Sequence, residues 1–140
     1  MKYIVIIISI VFLSCCDDSC KRQVDDDLIE VWVLKAAINN DTNQISYYPQ
    51  DIHEQELIFE IDHNIRNSCN MHGNYSVDDN ILTIYDVIFT EMFCWTIEFM
   101  EWEALLADNL YGTCDYNIDG SELNITTRNG LSFILTKKVL

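Results

Sequence analysis

The sequence lacks nearly every pattern that marks an enzyme site. It has no Gly-x-Ser-x-Gly elbow, no glycine-rich phosphate loop and no serine placed for activation by one of its three histidines. Common routes to nucleophilic hydrolysis and phosphoryl transfer are therefore missing. Cys-x-x-Cys and His-x-x-x-His spacings are absent as well, and with them the usual metal-binding signatures. Basic residues are scarce, with 8 Lys and Arg against 23 Asp and Glu and a net charge of −15. Nucleic acid is excluded as a partner class because its phosphates need clustered cations. The same charge disfavours contact with anionic lipid except through a separate anchor. Nor is there an apolar run long enough to cross a bilayer, since residues 4–13 supply only roughly 10 residues for a hydrocarbon core of about 30 Å.

What that run does fit is the apolar core of a signal peptide, preceded by Lys2 and followed by small residues. Phe12-Leu13-Ser14-Cys15 resembles the bacterial lipobox, in which a small residue precedes a cysteine that is acylated on sulfur and becomes the new N-terminus. Residues 1–14 are then the cleaved signal, and Cys15 is the lipidation site. Stable attachment needs more than one acyl chain, at about 0.8 kcal/mol per buried CH₂, a condition a lipoprotein meets. Residues 15–27 follow as an acidic, solvated tether with almost nothing to bury. Acidic residues directly after the lipidated cysteine resemble a surface-export signal. The expected location is the bacterial cell envelope, on the outer membrane, with the membrane contacted only through the N-terminal lipid.

Residues 28–140 make one domain. The chain is 49% hydrophobic and 11% aromatic, enough for an ordered core. Period-two alternation dominates and predicts antiparallel strands. Trp32 and Leu34 share one face of a first strand, and Leu57, Phe59 and Ile61 one face of a second. Tyr75 and Val77 run into the Asp78-Asp79-Asn80 turn and return through Leu82 and Ile84. Tyr116 and Ile118, then Leu123 and Ile125, then Leu131, Phe133 and Leu135 form a meander joined at Asp119-Gly120 and Asn129-Gly130. Residues 96–110 change period: Phe99, Trp102 and Leu106, with Trp95 before them, fall at helical spacing and leave Glu98, Glu101, Glu103 and Asp108 elsewhere. Thr96 is the expected N-cap, and Gly112 follows the end. The stripe Trp95, Phe99, Trp102 and Leu106 is a packing or partner face. The predicted fold class is α+β, mainly antiparallel β: a hairpin-rich sheet or open barrel packed by one amphipathic helix, with the helix covering a face of the sheet.

Two clusters invite a metal reading and lose it. Asp115-x-Asn117-x-Asp119-Gly120 copies the opening of a calcium loop, but the twelfth position is Thr126 and the residues also alternate as a strand should. His63, Cys69, Met71 and His72 lack ligand spacing. No cofactor, metal or catalytic residue is assigned. Six cysteines in an exported chain read as disulfide material. With Cys15 lipidated, the odd remainder of Cys16, Cys20, Cys69, Cys94 and Cys114 leaves at least one unpaired, and spacing alone does not fix the pairing.

Several ordered motifs carry a family likeness: Trp32-Val33-Leu34, Ile58-Phe59-Glu60, Cys69-Asn70 with Gly73 and Tyr75, Leu82-Thr83-Ile84, Thr90-Glu91-Met92-Phe93-Cys94, Glu103, and Tyr116-Asn117-Ile118-Asp119-Gly120. Together they resemble the META domain family of HslJ-like bacterial lipoproteins. Arg66-Asn67-Ser68 departs from that family's glycine-rich approach to the Cys-Asn pair. The resemblance implies a β-rich domain with one packed helix, no catalytic residues, a link to envelope stress, and a disulfide between Cys69 and Cys94. The function it implies is non-enzymatic: binding or stabilising another envelope component of unknown identity. The alternative is a lipocalin-like carrier of a small apolar ligand.

Overall fold

The computed structural model describes residues 26–90 and 94–139. The signal, Cys15 and nearly all of the tether lie outside the described residues. Alternating apolar residues, cut by Asx and glycine turns, give strands β1 (Val31–Asn39), β2 (Gln44–Tyr47), β3 (Glu56–Phe59), β4 (Asn64–Asn67), β5 (Met71–Asp78) and β6 (Ile81–Phe89). Helix α1 (Ile97–Leu110) follows, then β7 (Gly112–Asp119), β8 (Glu122–Thr127) and β9 (Leu131–Lys137). Neighbours pair antiparallel in the order β2-β1-β3-β4-β5-β6-β7-β8-β9.

The expected class holds, mainly antiparallel β packed by one helix, and of its two forms the barrel is the one adopted. Strand β9 pairs back onto β1 from Trp32↔Lys137 to Asn39↔Leu131, closing an eight-stranded barrel. Strands β3 and β2 take successive stretches of the other β1 edge, at residues 31–33 and 36–39. Closure buries one face of every barrel strand without any covering layer. Trp32, Phe59, Tyr75, Phe133 and Leu135 fill the interior, each contributing on the order of 1.5–3 kcal/mol by burial.

Three local expectations are corrected. Ile61 is 74% exposed, because the chain turns after Phe59 and His63 N–H donates to the Glu60 carbonyl. Strands β2 and β4 were not anticipated. Every residue of β2 is exposed and β4 carries one apolar residue, Ile65, so neither shows a clear period.

Helix α1 begins where the Thr96 hydroxyl accepts from Phe99 N–H at 3.2 Å and ends at Leu110 with Tyr111 as C-cap, after which Gly112 turns the chain into β7 with a φ of +98° that suits a residue without Cβ. Its buried side reaches the β4–β5 connection through Glu103, His53 of the β2–β3 connection through Phe99, and Asn129 of the β8–β9 turn through Asn109. Successive hairpin turns alternate between the two ends of an antiparallel barrel, so these connections share one end. The helix therefore caps one mouth of the barrel. Among the described residues no helix is long and apolar enough to cross a membrane.

Candidate functional site

The capped mouth is organised around two asparagines and a buried glutamate. Asn67, the last residue of β4, turns its side-chain oxygen onto the backbone N–H groups of Cys69, Asn70 and Met71 at 3.0, 2.9 and 2.9 Å, an Asx arrangement that shapes the β4–β5 connection. Its Nδ2 donates to Glu103 Oε1 at 2.8 Å. The same carboxylate accepts from Asn70 N–H at 3.1 Å and, through Oε2, from Asn70 Nδ2 at 3.3 Å. Thr90, just past β6, donates its hydroxyl to Asn70 Oδ1 at 3.1 Å. One carboxylate thus positions α1 over two strand ends.

Glu103 was expected on the solvated side of the helix and is instead 6% exposed. Its burial is tolerated because its oxygens are met by these donors. Three of the roughly four hydrogen bonds a carboxylate can accept come from within the protein, which gives Glu103 a structural role.

Cys69 and Cys94 form a disulfide with Cα atoms 6.0 Å apart, tying the β4–β5 connection to the segment that enters α1. The Cys94 sulfur, carrying no proton, sits 3.6 Å from Asn70 Oδ1 as a contact. Cys114 is the free cysteine among the described residues; it is buried, and burial pushes its thiol up to about 11.

Of the aromatic stripe, Phe99 and Leu106 are fully buried. Trp102 is partly buried, edge-on to Tyr48 at 5.4 Å between centroids. Burial, with Glu98 and Glu54 nearby, raises the Tyr48 hydroxyl to about 12. Trp95 does not join the core. It is 57% exposed, stacks on His53 at 3.8 Å and has φ +61°, because it precedes the N-cap and is outside the helical period.

Neither metal reading gains a site. Cys69 is consumed by the disulfide and Met71 is buried, while Asp115 and Asn117 lie exposed on β7. Among the described residues no three His, Cys, Asp or Glu side chains converge on a point that could hold an ion. The residue that sequence reasoning missed is Asn67. Its signal was an asparagine three residues before Asn70, at the spacing of an Asx-type turn. Gln55, fully buried at the same end, has no hydrogen-bond partner for either amide atom among the described residues.

A cleft of about 240 Å³ lies between the end of β6 and α1, lined by Asn70, Phe89, Thr90, Met100, Glu103, Ala104, Ala107 and Asp108. It is the network's outer boundary.

The arrangement is similar to solved structures of bacterial proteins. An NMR structure of a protein from Burkholderia xenovorans superposes with a TM-score of 0.63 at 19% identity, covering 81% of this chain and 86% of that one. The crystal structure of a DUF4847 family protein from Bacteroides vulgatus ATCC 8482 matches with a TM-score of 0.52 at 15% identity, covering 80% of this chain and 96% of that one. At these identities the likeness concerns the fold. No curated protein matches the chain. The META domain model matches residues 28–139, which is the whole barrel with its helix, and the chain belongs to the META domain family.

Proposed function

We propose that this protein is a lipid-anchored component of the bacterial envelope, tethered by Cys15 at the outer membrane, whose META barrel binds or buttresses another envelope protein without catalysing a reaction. The observation that carries the reading is the distribution of exposed apolar residues. Ile88, Phe89, Trp95, Ile97 and Tyr111 are each at least half exposed, and all come from segments that border the capped mouth. Tyr47, Ile61 and Val139 are exposed apart from them, so the capped mouth holds five of the eight apolar side chains at least half exposed among the described residues, and a gathered group of this kind marks an interaction surface. Four clefts among the described residues measure about 220–250 Å³, below the roughly 300 Å³ that a carrier of a drug-sized ligand needs. This favours surface binding over the lipocalin-like alternative.

Site-specific photo-crosslinking in cells tests it. A photoreactive residue at Ile88 or Trp95 is expected to capture one dominant envelope protein, and the same residue at Ile61, on the opposite end, is not. Equal capture from both ends, or none from either, overturns the reading. Replacement of Cys15 by alanine is expected to release the domain from the membrane fraction.

A further inference from the structure

We infer that the seam between β6 and α1 is the docking groove, and that its occupant is an extended segment of the partner protein, apolar with a lysine or arginine, which adds as a strand to the open edge of β6. This rests on the partner-binding reading above and specifies its site.

The edge comes first. Strand β7 pairs with β6 only from Ile81↔Asp115 to Ile84↔Gly112, because the chain leaves the sheet for α1 and re-enters at Gly112. On the other side β5 stays paired as far as Met71↔Phe89. Among the described residues no strand pairs with the β7 side of β6 beyond Ile84. Asp86, at φ +53°, breaks the extended backbone just past Ile84, so residues 87–89 are the open stretch; such an edge is a template for another strand, and main-chain bonds supply the affinity when one adds.

The seam beside that edge is incompletely filled. Leu82 and Ile84 point inward, the ladder shifts register opposite residues 72–74, and Val87 then packs against the core. Gly73 accommodates this shift, because a Cβ there would meet Val87 Cγ2 at 3.1 Å and the Tyr85 carbonyl at 3.2 Å. Phe89, two residues beyond Val87, shares its side of the strand, yet Phe89 is 53% exposed. It lines the cleft of about 240 Å³ whose opposite wall carries Met100, Ala104 and Ala107. The two alanines leave open the space that larger residues on α1 would have closed. The disulfide, by holding Cys94 to Cys69, fixes the entry of α1 and so presets the width of the seam, which lowers the ordering cost of binding.

Charge selects the occupant. Among the described residues Glu103 and Asp108 line the cleft and no Lys, Arg or His does, in a chain of net charge −15. Glu103 is engaged within the protein, so the exposed Asp108 is the group that meets a cation. A second copy of the chain would bring its own carboxylates against these, which disfavours self-association through the groove.

The test uses full-length protein in detergent micelles and three synthetic heptapeptides: one alternating valine with lysine and threonine, its glutamate-for-lysine counterpart, and a copy with proline at the centre. The lysine peptide is expected to perturb the backbone amide resonances of residues 85–89. The glutamate and proline peptides are expected to bind at least about tenfold more weakly, as like charge and a missing N–H dictate. A104W places an indole in the seam from an exposed helix position and is expected to abolish binding while leaving the thermal midpoint near that of the parent. D108K is expected to weaken the lysine peptide by about fivefold. Perturbations at residues 44–47 instead, undiminished binding to A104W, or equal affinity for all three peptides would overturn the groove. Photo-crosslinking from Trp95 separates the two levels: a partner captured equally by A104W removes the groove and keeps the partner, whereas no capture in either background removes both.

Discussion

The two ends of the barrel are closed by different physics. At the end where the chain enters, the plug is mainly apolar. Leu28 is fully buried and its carbonyl accepts from Trp32 Nε1 at 3.0 Å, Phe59 packs edge-on against Tyr75 at 5.1 Å, and the Tyr75 hydroxyl reaches the Glu60 carbonyl. At the other end a helix is held by a buried carboxylate, two asparagines and a disulfide. An apolar plug gains stability from area and needs only rough shape. A hydrogen-bonded cap gains little net energy per bond but fixes one geometry, and that precision leaves a cleft and exposed apolar residues at its margin. Under the proposed function the closed end supplies stability and the capped end recognition.

Truncating the closed end is expected to give the largest effect. Trp32→Ala removes a fully buried indole and its hydrogen bond, and should cost about 3–5 kcal/mol in a urea titration. Binding at the capped end should survive at low denaturant. If binding is lost while the barrel remains folded, the two ends are coupled and the division fails.

Next in size is the disulfide. Replacing Cys69 and Cys94 together by serine opens a loop spanning 25 residues and is expected to cost about 3 kcal/mol in the chain-entropy model. Hydrogen exchange should locate the loosening: protection falling in α1 while β1 and β9 stay unchanged would sharpen the comparison, and uniform loss throughout the barrel would erase it. Glu103→Ala follows at about 2 kcal/mol, because it leaves Asn67 and Asn70 donors without their acceptor. Its signature is disturbed amide resonances at residues 67–71 rather than global unfolding.

Legibility in the sequence divides along the same line. The late meander and the β5–β6 hairpin were readable because Tyr75, Leu82, Leu123 and Phe133 alternate in phase with local turns, and the helix because Thr96, Phe99 and Leu106 obey its period and cap rules. What escaped depends on contacts between distant residues. Barrel closure joins β1 to β9 across nearly the whole domain, and no local pattern encodes that pairing. Glu103 reads as solvated by type, and its burial follows from Asn67, which is 36 residues away. Trp95 reads as core by type, and a backbone turn before the N-cap sends it outward. Local period located the elements, whereas the polar residues that set the helix over the mouth became visible only with the strands in place.

Alkali is expected to loosen the capped end before the closed one. Burial raises Tyr48 from its ordinary 10.0 to about 12 and Cys114 from 9.0 to about 11. Both groups are neutral when protonated, and each loses its proton more readily in the unfolded chain. Stability is therefore fully present below pH 9 and falls as the pH rises through the window from 9 to 12. Thermal midpoints measured across that window should decline less steeply for Tyr48→Phe than for the parent, and a parallel decline would assign the loss elsewhere.

The smallest expected effect concerns Trp95, and its smallness is informative. A tryptophan that is 57% exposed with a positive φ gains a stacking contact with His53 worth about 0.5–1.5 kcal/mol and bears a left-handed backbone cost of about 1–2 kcal/mol. Glycine forfeits the first and relieves the second, so Trp95→Gly should change stability by less than about 1 kcal/mol. Under the proposed function a large aromatic that contributes so little to the fold serves recognition. The variant should therefore lower capture of the partner in cells while its urea midpoint stays near that of the parent. A loss of several kcal/mol with capture unchanged would move Trp95 to the structural side and remove it from the proposed partner surface.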